Sequence, residues 1–136
     1  MILYRDKQRD ISLNSPDELR SLDVPEDVIR DLKDYPDIAR GFYFGDGQYV
    51  FNDKAADSSY IRAHEESHYL RDTAQCRHRD ELHEECLTDL LTARRIGKAE
   101  TICAIRNLCR EIERHYMAPK TIRALKIRMR FVGIFA

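Results

Sequence analysis

At 136 residues and 16.0 kDa the chain is long enough for one modest core and too short for two, so a single domain over residues 1–136 is expected. Apolar residues at 43% and charged ones at 35% exclude a disordered, collagen-like or membrane-embedded chain. The net charge of −1 conceals a polarity: residues 105–136 hold eight Lys/Arg against two Glu, a net +6, which leaves −7 for the rest.

The opening "MILYRDKQRD" is apolar for three or four residues and then charged. It lacks the apolar core of an export signal, and no run reaches membrane-spanning length, so a cytoplasmic location without a membrane partner is expected. "ILY" has the composition of a short strand. "NSPDEL" carries a helix start, with Asn14 or Ser15 as cap and Pro16 in the first turn, and "DVPEDVIRDLKDY" repeats it with Asp23 and Pro25. Tyr35 and Pro36 end that second helix. "GFYFGDGQYVFND" sets two aromatic and β-branched arms around Gly45-Asp46-Gly47 and predicts a β-hairpin.

After the hairpin, "KAADSSYIRAHEESHYLRD" offers Asp57, Ser58 or Ser59 as the cap of a helix. The polar "TAQCRHR" separates it from "DELHEECLTDLLTARRIG", where Leu82, Cys86, Leu90 and Ala93 keep helical spacing until Gly97 closes the run. A further helix spans roughly 99–116 with Ile102, Ile105, Cys109 and Ile112 inward. The last starts near Pro119, with Ile122, Leu125, Met129 and Val132 on one side and basic residues on the other. The fold class expected from this order is α+β: mainly helical, with a small antiparallel sheet or hairpin before the helix that carries the chemistry. Three of the four cysteines (Cys76, Cys86, Cys103, Cys109) fall in helical apolar patterns, and all four are read as reduced.

The segment "AHEESHYL" holds the chemical signal. His64 and His68 are four apart, so on a helix both imidazoles point from one face at one object. Two neutral imidazoles one turn apart suit Zn²⁺, and Glu65, rotated about 100° from His64, flanks the open coordination position instead of joining them. A carboxylate there can take a proton from metal-activated water and pass it to a leaving amine. With five His and ten Glu, H-E-x-x-H arises by chance in roughly one such chain in a hundred, so context has to decide.

Two imidazoles leave a zinc site one protein ligand short. Downstream, Glu85 and Asp89 are also four apart on a helix, with Asp89 inside the Leu82, Cys86 and Ala93 stripe and Glu85 at its edge. A carboxylate directed at a core needs a partner. Glu85 completes a His₂Glu set, and Asp89 accepts the second N–H of a ligand histidine; the bland alternative is a capping or surface pair. Glu84 is read as pointing to the opposite side, and Glu81 as a weaker candidate. A rival structural zinc knot from Cys76, His78, His83 and Cys86 has a spacing that matches no familiar finger. His78, His83, Tyr69 and Tyr116 are open candidates for stabilising an oxyanion. The basic residues Lys120, Arg123, Lys126, Arg128 and Arg130 are read as a solvated helix face before a nucleic-acid contact.

The hairpin "GFYFGDGQYVFND", the helix "RAHEESH", the helix "EECLTDLLTA" and the closing "MAPKTIRALKIRMRFVGI" together resemble the ImmA/IrrE metallopeptidases, over roughly residues 40–135. The resemblance implies a minimal zincin-like fold, one Zn²⁺ held by His64, His68 and Glu85, and Glu65 as catalytic base and acid. It also implies a protein substrate, specifically a DNA-binding helix-turn-helix repressor of a mobile element, phage or stress regulon. Departures from the family pattern are Glu66 for an apolar residue, Ser67 for glycine, and Thr88-Asp89 for Ala-Asn. Glu66 is expected to raise the pKa of Glu65 if the two are close. The competing expectation is a non-catalytic antirepressor that binds its partner on a zincin-like scaffold.

Overall fold

The computed structural model describes residues 2–6, 9–35, 41–45, 48–52 and 58–136. Its architecture is α+β, as expected: a four-stranded antiparallel sheet followed by a mainly helical body. The strands β1 (Ile2–Asp6), β2 (Arg9–Leu13), β3 (Gly41–Gly45) and β4 (Gln48–Asn52) lie in the order β2-β1-β4-β3. A 3-10 helix (Pro16–Leu22) and α1 (Glu26–Asp34) separate β2 from β3, and α2 (Ser58–Thr73), α3 (Glu81–Ile96), α4 (Lys98–His115) and α5 (Pro119–Phe135) follow β4.

The period of two along a strand divides the core between the two faces of the sheet. Ile2, Tyr4 and Val50 face one way and pack with Leu19, Val28, Ile29 and Leu32 of the first two helices. Leu3 and Tyr49 face the other way, onto Tyr60 and Ile61 of α2 and Ile105 of α4. β1 and β4 are central and covered on both sides, which explains the unbroken apolar run "ILY". β2 was not legible in the sequence. It is an edge strand in which only Ile11 and Leu13 turn to the core, opposite Tyr4 and Ile2 respectively, and a lone pair of partly buried residues gives no strand signal.

Ser15 caps the 3-10 helix as expected: its hydroxyl accepts from the Asp17 N–H at 3.2 Å, and Glu18 returns a bond to the Ser15 N–H. The expected Asp23 cap does not form. Asp23 sits in the left-handed region at φ 58°, closing the 3-10 helix, and α1 begins behind Pro25 with no side-chain cap bond. The hairpin arms form β3 and β4, whereas the central Asp46-Gly47, like the proposed helix stop Pro36 and cap Asp57, lies outside the described residues. Ser59 falls inside α2 and does not precede it. Gly97, at φ 109°, both ends α3 and starts α4. Within α4, Ile105, Cys109 and Ile112 are buried as expected, with Ile102 at the margin.

α2 packs between the β3–β4 hairpin and α3, and α5 lies across α3 and α4. This layering brings three helices and one sheet edge to a single place.

Candidate metal centre

His64 and His68 project from one face of α2 towards α3, and their Nε2 atoms stand 3.1 Å apart. Glu85, on the facing side of α3, places Oε2 3.0 Å from His64 Nε2 and Oε1 3.3 Å from His68 Nε2. Donor atoms around a tetrahedral Zn²⁺, each at about 2.0–2.1 Å, lie about 3.3 Å from one another, so each of these contacts has about the length of an edge of such a shell. Three electron-pair donors converging in this way need a cation among them, a proton or a metal ion. His64, His68 and Glu85 form a group that could hold a metal ion.

Electrostatics point the same way. Burial disfavours the charged form of His64, yet the Glu85 and Asp89 carboxylates outweigh it and push the imidazole pKa up to about 10. Burial likewise opposes ionisation of Glu85, but the histidines and Arg128 pull its pKa far below the usual carboxylate range. The two ends of the triangle therefore favour positive charge at its centre.

The second nitrogen of each imidazole is also engaged. His64 Nδ1 lies 2.9 Å from Asp89 Oδ1, and Asp89 is completely buried. Tyr60 donates its hydroxyl proton to the same Oδ1 at 2.7 Å. Arg128 of α5 donates Nε–H to Oδ2 at 2.6 Å and an Nη2 proton to Oδ1 at 3.2 Å. Burial opposes the charge on Asp89, but Arg128 and His64 bring its pKa down to about 2. His68 Nδ1 sits 3.3 Å from the Thr88 hydroxyl, and its ring stacks on Tyr43 of β3 at 5.9 Å and 11°. Tyr43 in turn donates to Asp72 at 2.6 Å.

Glu65 lies against the sheet edge. It is 5% exposed, and its Oε2 is buried without a hydrogen-bond partner among the described residues. A buried carboxylate oxygen without a hydrogen bond costs roughly several kcal/mol if charged, and burial raises the Glu65 pKa. Its Oε1 rests over Gly41 of β3, where a Cβ would come within 3.0 Å. His64, His68, Glu65 and Glu85 all line one cleft of about 420 Å³, walled by Gly41 and Tyr43 on one side and Arg128 on another.

Several expectations need correcting. Glu66 does not act on Glu65: it lies towards the sheet, in ion pairs with Arg5 (3.0 Å), Arg95 (2.9 Å) and Arg62 (3.5 Å). Glu84 does not point away from α2. It is buried, forked by Arg71 through two contacts of 2.8 Å, and accepts the His78 N–H at 2.7 Å. Arg128 does not belong to the solvated basic face; its side chain is 15% exposed and joined to Asp89. Cys76 and His78 are exposed while Cys86 is buried, and among the described residues these three and His83 do not converge as metal ligands. His78, His83, Tyr69 and Tyr116 do not line the cleft.

Tyr60, Thr88, Tyr43 and Arg128 escaped sequence reasoning. Thr88 and Tyr60 were within reach of a helical wheel, since Tyr60 precedes His64 by one turn and Thr88 follows Glu84 by one. Arg128 was within the same reach, since it follows Leu125 by three residues and precedes Val132 by four, which sets it beside the apolar stripe and apart from the other four basic residues. No helix among the described residues is long and apolar enough to cross a membrane. Comparison with protein-family models, curated proteins and solved structures finds no match to this chain.

Proposed function

We propose that this chain is a zinc-dependent peptidase of the ImmA/IrrE type that hydrolyses a peptide bond in a protein substrate, with one Zn²⁺ on His64, His68 and Glu85. The observation that carries this reading is the convergence of His64 Nε2, His68 Nε2 and the Glu85 carboxylate through contacts of 3.0–3.3 Å, in a cleft that Glu65 also lines. A helix-turn-helix repressor as the substrate rests on the sequence resemblance alone.

A zinc ion in this position supplies Lewis acidity that brings the pKa of water from 15.7 towards about 7. The protein's own groups do the rest. Asp89 keeps the Nδ1 proton on His64, so that Nε2 offers its lone pair to the centre. The Tyr43 ring fixes the plane of His68. Glu65 accepts a proton at Oε2 as a water oxygen bonds to the peptide carbonyl carbon, then returns that proton to the amine nitrogen as the C–N bond breaks. Burial raises its pKa, which favours the protonated form it must hold between the two transfers.

Glu65→Gln tests the assignment. The variant should bind zinc like the wild type and lose at least 10²-fold in hydrolysis of casein or of purified helix-turn-helix repressors. A Gln variant that cuts as fast as the wild type, or a wild type that takes up no zinc, overturns the proposal. Stoichiometric binding of a repressor without cleavage, unchanged by Glu65→Gln, would establish the antirepressor alternative in its place.

A further inference from the structure

We propose that Arg128, on the last helix, is a positioning residue of the metal centre: by fixing the buried Asp89 carboxylate it locks His64 in the tautomer and orientation that present Nε2 to the ion. The inference rests on the peptidase reading only in taking His64 as a ligand. It assigns α5 a part in the centre, although that helix contributes no ligand.

Hydrogen-bond accounting supports the chain of contacts. Asp89 Oδ1 has three neighbours able to donate: Tyr60 at 2.7 Å, His64 Nδ1 at 2.9 Å and Arg128 Nη2 at 3.2 Å. Oδ2 takes the Arg128 Nε–H at 2.6 Å. The Tyr60 hydroxyl spends its single proton on Oδ1 and receives Arg128 Nη2–H at 3.1 Å, so it has none to give His64 Nδ1, 3.3 Å away. Nδ1 must therefore be the donor in the His64–Asp89 contact, so the nitrogen that gives up its proton to an incoming ion is Nε2. Arg128 closes the network from the far side. Its fork sets the plane of the carboxylate, as the spherical ammonium of lysine could not, and its charge balances an anion with no access to water. The same guanidinium reaches Glu85 Oε2 at 3.5 Å, so one side chain steadies both a ligand and the partner of a ligand.

Removing Arg128 leaves Asp89 buried without its counter-charge and free to turn. The expected effect on the ion is the one seen when outer-shell partners of a metal site are deleted, roughly a 10- to 100-fold loss of affinity. Zinc alone is the probe, measured on the full chain by competition with a chromophoric chelator. Arg128→Met should weaken binding by that factor. Arg128→Lys should recover only part of it, since lysine restores the charge and not the fork. The double variant Arg128→Met with Asp89→Asn should recover most of it, because a neutral amide oxygen still accepts the Nδ1 proton and needs no counter-charge. In the zinc-loaded proteins, nitrogen shifts of the His64 ring, read by long-range ¹H–¹⁵N correlation, should show Nδ1–H with Nε2 on the metal in the wild type and the double variant, and a second population in Arg128→Met.

If Arg128→Met fails to fold, the lysine variant and the double variant carry the comparison by themselves. Zinc affinity within threefold of wild type in Arg128→Met, or in Arg128→Lys where only that folds, overturns the role of Arg128. So does a double variant no better than Arg128→Met, or, where that variant does not fold, a folded double variant that binds as weakly as one lacking the Asp89 contact altogether, Arg128→Met with Asp89→Leu. Failure of the wild type to bind zinc would instead remove the peptidase reading, and the two failures are thereby distinct.

Discussion

At the scale of single residues, the centre depends on what is missing as much as on what is present. Gly41 leaves the space that the Glu65 carboxylate occupies: a Cβ would lie 3.0 Å from Oε1, 3.2 Å from Glu65 Cγ and 2.8 Å from Ile61 Cγ2. Ile61 is core and cannot retreat, so Gly41→Ala has to displace the glutamate or bend the strand. Overpacking of this kind costs about 1–3 kcal/mol. The expected result is a lower denaturation midpoint and a large fall in hydrolysis, with zinc uptake near normal because the atoms nearest the added Cβ belong to Ile61 and Glu65 and not to a ligand. Calorimetry and metal analysis on one preparation check both halves. The sequence placed His64, Glu65 and His68 on one helix through spacing alone, since i and i+4 fix two side chains on a face whatever surrounds them. That Glu65 has no partner at Oε2 among the described residues was beyond its reach, because partnership depends on a strand 20 or more residues away in the chain.

At the scale of elements, α2 and α3 must stay in register for two imidazoles to meet a carboxylate. Their contact carries polar pairs along its length: Ser67 and Thr92 share a hydrogen bond of 3.1 Å, Thr88 faces His68, and Arg71 forks Glu84 at the end where the 74–80 turn joins the two helices. Ser67 is fully buried, and its hydroxyl donates back to the Ala63 carbonyl, so serine at this crossing leaves no unsatisfied proton. The Arg71–Glu84 pair is largely screened from solvent, with side-chain exposures of 14% and 7%. Breaking such a pair by removing one partner costs about 3 kcal/mol or more, since the other charge stays buried. Arg71→Ala should therefore destabilise the chain by that order in urea unfolding. Arg71→Met together with Glu84→Leu should regain most of the loss, an outcome a double-mutant cycle reads directly. Failure of the double variant to recover would mean that Arg71 acts through packing and not charge.

At the scale of the whole molecule, the sheet is joined to the helical body through Tyr49 and Glu66. Tyr49 is 1% exposed and takes an Arg5 proton on its hydroxyl at 3.0 Å, while Glu66 gathers Arg5, Arg62 and Arg95 from three elements. Burial, reinforced by the nearby Glu66 carboxylate and opposed by Arg5, pushes the Tyr49 pKa up to about 12. A phenol held protonated in the folded state contributes stability that is fully present below its ordinary pKa of about 10 and disappears as pH rises through about 12. Between those values the unfolded chain has already lost the proton and the folded chain has not. Unfolding free energy should thus fall across pH 10–12, and Tyr49→Phe should flatten part of that fall; equal slopes in denaturant titrations of the two proteins would contradict the assignment.

What the sequence determined by itself was local and periodic: the hairpin arms, the helices from residue 58 onwards, the helix start at Asn14 or Ser15, and the two i, i+4 pairs that point His64 with His68 and Glu85 with Asp89. These follow from short-range geometry, which each segment carries with it. Tertiary structure alone decided that β2 completes the sheet, that Glu66 and Glu84 are claimed by arginines, and that Arg128 leaves the basic face to enter the centre. The reason is physical: a charged side chain is read by pattern as solvent-facing, and only a counter-charge brought from a distant helix makes its burial affordable.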